Sequence, residues 1–151
     1  MSTSDPSTWT LPRLRVDKEG AWYHEDEEVT HPGILSSLRA ALERDAEGYC
    51  IRIGPVRVPV QVEDAPYAVL RFEPEGEGFA VTLNDLTRET LDAGTLRMGE
   101  GEVLYCRVKG GAFEARFSRA AAYQLLERLE PDAETGRGAL RVGDRRYALG
   151  A

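Results

Sequence analysis

The sequence is poor in the residues that usually announce chemistry. Among 151 residues histidine occurs only at His24 and His31, cysteine only at Cys50 and Cys106, and lysine only at Lys18 and Lys109. No His-x-x-His or Cys-x-x-Cys pair exists, which removes the common metal-binding spacings. A phosphate-binding loop, a Rossmann glycine fingerprint and a nucleophile elbow are also missing. No run approaches the roughly 18 apolar residues of a membrane span. The N-terminus lacks the basic-then-apolar order of a signal peptide. The two cysteines lie far apart inside apolar strand patterns, so buried free thiols in a cytoplasmic protein are expected. No cofactor and no metal are expected either.

Positive charge is also in short supply. Acids outnumber bases 26 to 19, the net charge is -7, and no Lys/Arg run exceeds Arg145-Arg146. A nucleic-acid partner needs a concentrated basic face, so that class is set aside along with a membrane partner. Because almost every cation is arginine, planar bidentate pairs with carboxylates are the first reading of the surface.

What is present is a globular composition, 42% hydrophobic and 30% charged, in a chain of single-domain length. Residues 1–12 are rich in Ser, Thr and Pro and read as a disordered tail. Residues 13–151 read as one α+β domain. Leu14-Arg15-Val16 and Ala21-Trp22-Tyr23 flank a Gly turn as a hairpin. Thr30 or His31 caps a helix with Pro32 in its first turn and an apolar stripe at Ile34, Leu35, Leu38, Ala41 and Leu42. Tyr49 to Ile53 and Val56 to Val62 alternate as half-buried strands. Tyr67 to Phe72 and Phe79 to Leu83 form a middle hairpin. Residues 84–101 read as loop with one short strand near 95–98. Val103 to Val108 and Ala112 to Phe117 make a third hairpin. Ser118 caps a second helix carrying Ala122, Leu125, Leu126 and Leu129. A last hairpin turns at Gly143-Asp144.

The two ends of this series match. Each has a hairpin, a hydroxyl cap, a helix of about four turns with Leu pairs (Leu38 and Leu42; Leu125 and Leu129), and an acidic loop. Each then closes on Ile51-Arg52-Ile53-Gly54 or Leu140-Arg141-Val142-Gly143, with Arg57 or Arg146 three residues past the Gly. The fold class is therefore α+β: antiparallel hairpins and two helices in an internal duplication. Hairpin–helix–hairpin repeats at 13–62 and 102–151 are bridged by 63–101, and residues 14–60 should overlay 103–149.

Two segments resemble a known family. Val62-Glu63-Asp64-Ala65-Pro66-Tyr67 is similar to the "VEDAPF" segment of the bacterial domain of unknown function 1285 family. Tyr105 to Arg119 resembles the aromatic–strand–Gly–"EAR"–cap segment late in that family. The order of elements matches from about Leu14 to Leu149. The resemblance implies an α+β fold with repeated motifs, no assigned activity, and a signalling or ligand-sensing role. The chain departs at Gly54-Pro55-Val56-Arg57, where the family carries an acid–base pair after Thr-Pro, so a site using that acid lacks its residue here.

Candidate site residues follow from the duplication. If Gly54-Pro55 and Gly143-Asp144 are two-residue turns, Arg52 lies opposite Arg57, and Arg141 opposite Arg146. Like charges there need an answer. Intramolecular Glu and Asp are the plain one; an anionic ligand clamped by Arg52 and Arg57 with Arg107 or Arg116 is the sharper one. Asp64 either fixes the turn before Ala65-Pro66 or faces a cleft. His24 and His31 read as a solvated loop and a helix-start residue; Asp85, Glu89 and Asp92 read as a solvated face. The leading functional reading is a non-enzymatic regulatory or binding module recognising a small anionic ligand or a protein partner, with a homodimer left open. The alternatives are a carboxylate-dependent enzyme and a structural subunit.

Overall fold

The structure is a computed structural model in which residues 11–151 are described, so most of the expected tail lies outside the described residues. The chain divides into two compact units, Met1–Asp64 and Ala65–Ala151.

In the first unit β1 (Leu14–Val16), β2 (Trp22–His24) and β3 (Glu27–Glu28) form a meander. Helix α1 (Pro32–Ala41) follows, and β4 (Glu43–Asp45), β5 (Gly48–Ile53) and β6 (Val56–Val62) form a second meander. The two join through a parallel pairing of β1 with β6, giving one sheet in the order β3-β2-β1-β6-β5-β4. The sequence explains much of this. The Asp17 carboxylate accepts from the backbone N–H of Glu19 and Ala21 and so fixes the first turn. In β6, Val58 and Val60 are buried and alternate with polar or proline positions. Pro59 stands in a central strand, yet pairing with β1 begins only at Val60. Its missing N–H therefore removes no bond of that parallel ladder.

The second unit repeats the plan. Strands β7 (Tyr67–Glu75), β8 (Gly78–Leu83) and β9 (Arg88–Thr90) precede a 3-10 turn (Ala93–Thr95). Strands β10 (Arg97–Met98), β11 (Leu104–Val108) and β12 (Phe113–Phe117) follow. Here β7 pairs in parallel with β12, and the order is β10-β11-β12-β7-β8-β9. Helix α2 (Arg119–Leu126) leads to a separate sheet of β13 (Leu129–Glu130), β14 (Ala139–Val142) and β15 (Arg145–Ala148).

The α+β class and the duplication stand, but in a different register from the one expected. The copies with identical topology are residues 14–62 and 67–117, not 14–60 and 103–149. Residues 63–101 do not bridge two repeats; they supply half of the second sheet. The resemblance of 102–151 to the first repeat has a local cause: β4–β6 after α1 and β13–β15 after α2 are the same meander. Five such meanders make up the chain, so several registers look alike. The pairings that choose among them, β1 with β6 and β7 with β12, are long-range and leave no local trace.

The two helices differ in packing. In α2, Ser118 Oγ accepts from Ala121 N–H, and Ala121 and Leu125 are buried. The register of β7 with β8 shifts between Val69 and Arg71, and Gln124 Oε1 accepts the Phe72 N–H at 2.9 Å, supplying a partner there. Phe72 stacks on Phe79 at 4.7 Å in the core below. Helix α1 is shorter than the four turns expected and buries none of its residues. Its cap is His31, whose Nδ1 accepts from the N–H of Gly33 and Ile34. Leu42, just past its end, is buried. No helix is long and apolar enough to cross a membrane among the described residues.

Candidate functional site

The arginines singled out by the sequence are placed as the hairpin register required. Arg52 lies opposite Arg57 and Arg141 opposite Arg146. Gly54 and Gly143 hold left-handed φ values of 59° and 58° in the connecting turns. Carboxylates on the first strand of each meander answer both pairs. Asp45 on β4 takes a two-pronged contact from Arg57, 2.8 Å to each oxygen, and lies 3.5 Å from Arg52. Glu43 and Glu47 add longer contacts. Glu130 takes Arg141 at 2.9 and 3.1 Å and Arg146 at 3.3 Å, with Asp132 also on Arg146. Hydrogen bonds from Arg57 bring the Asp45 pKa down to about 2. Strand pairing sets Glu43 and Glu130 at equivalent positions, so the acid-x-acid pairs Glu43/Asp45 and Glu130/Asp132 are one repeated device.

A third meander carries it with the signs exchanged. Arg107 lies opposite Glu114, and Arg97 on β10 grips Glu114 at 2.8 Å through two bonds while lying over the Tyr105 ring. Arg107 donates to the Gly111 carbonyl, and half-buried Arg116 pairs with Tyr105 on the same sheet face. Arg107 and Arg116 thus belong to the second unit, whereas Arg52 and Arg57 belong to the first. The underlying pattern is wider than the sequence reading found. Apolar–Arg–apolar triplets precede the hairpin turns of all five meanders: residues 14–16, 51–53, 70–72, 106–108 and 140–142.

Asp64 is half-buried, ahead of the buried Ala65 and Pro66. Asp85, read as solvated, is instead paired with Lys109 at 2.6 Å, beside Thr87 and the Tyr67 ring. Burial pushes its carboxyl up, but hydrogen bonds from Lys109 and Thr87 outweigh that and leave it below its ordinary value. Burial pushes the Cys106 thiol up to about 12, far from the range of a reactive thiolate.

Two concave surfaces among the described residues lie elsewhere, within the first unit. One cleft of about 650 Å³ opens where β1 has not yet joined β6, with Pro59, Tyr49 and Arg57 against Leu11 to Leu14. The second, of about 410 Å³, lies between α1 and the sheet. Ile51 and Ile53 of β5 form its floor, since they alternate with Cys50 and Arg52 on the Asp45 side. Ile34 and Leu38 of α1 form its roof; Leu14 and Val29 close one side. Ile34 and Ile53 remain 52% and 58% exposed. Glu27, Glu28, His24 and His31 stand at its polar side. Sequence reasoning missed this site because a helical apolar stripe and alternating strand valines and isoleucines are the signature of core. What distinguishes them is the second copy, where Val108, the equivalent of Ile53, is buried.

No protein-family model matches the sequence, and no curated protein matches it. Among solved structures, a DUF1285 family protein from Silicibacter pomeroyi DSS-3 superposes with a TM-score of 0.74 over 98% of this chain and 87% of that one, at 18% identity. The chain has the DUF1285 fold. A second DUF1285 family protein, from Shewanella baltica OS155, matches with a TM-score of 0.63 over 78% of this chain and 92% of its own, at 20% identity. The likeness covers both units described above and extends the sequence resemblance carried by Val62 to Tyr67 and Tyr105 to Arg119.

Proposed function

We propose that this DUF1285-like chain is a non-catalytic module that binds a small organic molecule in its first unit and serves a sensing or regulatory role. The observation that carries the reading is the cavity of about 410 Å³ beneath α1, apolar in floor and roof with a few polar groups on one side. That is the usual make-up of a small-ligand site. The titration behaviour of the carboxylates supports a binding role over acid–base chemistry. Those that shift clearly, Glu25, Asp45, Asp85, Glu130 and Asp132, all move down. A general acid requires the opposite. The anionic clamp at Arg52 and Arg57 has little to recommend it, because Asp45 already occupies Arg57 at two points.

The test is a thermal-shift screen of small apolar-bodied compounds against the wild type and Leu38→Trp, whose indole would fill the cavity. Ligand binding raises the melting temperature according to RT ln(1 + [L]/Kd). Compounds that stabilise the wild type should leave Leu38→Trp unmoved. A screen without hits, or hits that stabilise both proteins equally, would refute this site.

A further inference from the structure

We propose that His31 is a proton-operated latch on the cavity beneath α1: its neutral imidazole holds the helix that roofs the cavity, and the imidazolium releases it. The latch itself needs no ligand; its value as regulation rests on the ligand-binding reading just given. Pro32 has no N–H to satisfy. His31 Nδ1 accepts from the N–H of Gly33 at 3.1 Å and of Ile34 at 3.3 Å, and the His31 carbonyl accepts from Leu35 at 3.0 Å. One residue therefore answers each N–H of the first turn. The neighbouring sequence suits the ring. A Cβ at Gly33 would stand 3.1 Å from Cε1 and 3.3 Å from Nδ1, so glycine leaves the imidazole room at the cost of a weaker helix. Little else holds α1. It is ten residues long, buries none of them and has no acidic side chain in its first turn. A helix so short is marginal without packing.

Protonation reverses this interaction. Both nitrogens of an imidazolium are donors, so Nδ1 would turn an N–H toward the two N–H groups it had accepted. The new charge would also sit at the positive end of the helix. Histidine is the side chain that ordinarily makes this change between about pH 5 and 8. The ionisable groups that border the cavity with His31 are His24 of β2 and Glu27 and Glu28 of β3, and no lysine or arginine lines it. Strand β5 presents only the apolar Ile51 and Ile53 there. Its Arg52 is on the other face with Asp45, and Arg39 stands in the last turn of α1. The lining carboxylates thus favour the imidazolium once it leaves the cap. Its departure frees Ile34 and Leu38, which are the roof. Helix α2 has no such device. Its cap is the Ser118 hydroxyl, which keeps its protonation state across this range, and Ala121 and Leu125 anchor it in the core.

The experiment follows amide exchange by NMR in the full chain at about pH 7.5 and about pH 5.5, on either side of the ordinary histidine range. Rates are expressed as protection factors, corrected for the intrinsic pH dependence of exchange. Loss of a cap together with a cation at the helix N-terminus should lower protection of residues 34–41 about tenfold at the lower pH. Helix α2 in the same sample should show no comparable change. His31→Asn and His31→Ser supply caps that do not titrate, so α1 should be equally protected at both pH values in each. The latch is overturned if wild-type α1 changes no more than α2, or if both variants show the wild-type fall. It is also overturned if neither variant protects α1 at the higher pH, since the cap is then not what holds the helix. Exchange is read without ligand. A failed latch therefore leaves the ligand reading of the cavity standing, and a compound screen without hits leaves the latch standing.

Discussion

Truncating one leucine in each helix measures how differently the two are packed. Leu125 on α2 is fully buried, whereas Leu38 on α1 borders the cavity and is half-buried. Leu→Ala removes three carbons, about 2.4 kcal/mol of transfer free energy at ~0.8 kcal/mol per methylene. At Leu125 the void left behind adds to this and brings the loss to about 3–5 kcal/mol. At Leu38 part of that transfer has not been realised, and the space created opens into an existing cavity, so the loss should be about 1 kcal/mol. For a chain of this size each kcal/mol shifts the melting temperature by roughly 2–4 °C. The expected drops are about 6–20 °C for Leu125→Ala and about 2–4 °C for Leu38→Ala. Far-UV circular dichroism follows the whole chain in heat and urea. Tryptophan fluorescence follows the first unit through the buried Trp22. If Leu38→Ala destabilises as much as Leu125→Ala, α1 is a fully packed helix and the open-cavity argument is wrong.

Further outcomes can be checked on single variants. The Asp45 pKa is depressed from 3.8 to about 2, so its contribution is present above 3.8 and lost as pH falls through about 2. Asp45→Asn should therefore melt below wild type at neutral pH, with the gap closing across that window; a gap independent of pH would refute the Arg57 pairing as its cause. Leu86 holds a left-handed φ of 70° with its side chain 80% exposed. Leu86→Gly should raise stability by about 1 kcal/mol in urea titration through relief of that backbone strain; a loss would show that the leucine side chain makes a contact that matters.

How far the sequence carried the structure depends on the range of the interactions. Cap and turn positions were legible because they are local. Pro32 after His31, Ser118 before α2, and the Gly-first turns that set Arg52 against Arg57 all follow from a few neighbouring residues. The first strand of the meander after each helix was not. Glu43-Arg44-Asp45 and Leu129-Glu130 are short, charged edge strands, held by pairing with β5 or β14 and by ion pairs to arginines more than ten residues away or seven at the nearest. Nothing in their own composition favours extended backbone. The same holds for Asp85, whose partner Lys109 is 24 residues away. The candidate site was least legible, because Ile34, Leu38, Ile51 and Ile53 show the periodicity of core whether or not anything covers them.

Comparison of the two copies supplies the discrimination that periodicity cannot. Ile53 pairs with Val56 as the last rung before its turn, and Val108 pairs with Phe113 at the corresponding rung of the second sheet. Val108 is buried, whereas Ile53 is 58% exposed. The difference lies in the crossover between the two meanders of each unit. In the second unit it is the 3-10 turn Ala93–Thr95, which packs on β11, with Leu91, Ala93 and Leu96 all buried. In the first unit it is α1, ten residues long with none buried, standing over β5 across the cavity. A sheet of this topology can evidently close that position with a short apolar turn, and closure would gain roughly 25 cal/mol for each Å² removed from water. The first unit forgoes that gain and keeps an apolar floor under a capped helix. Packing alone favours the sealed copy; binding a molecule between α1 and β5 requires the open one.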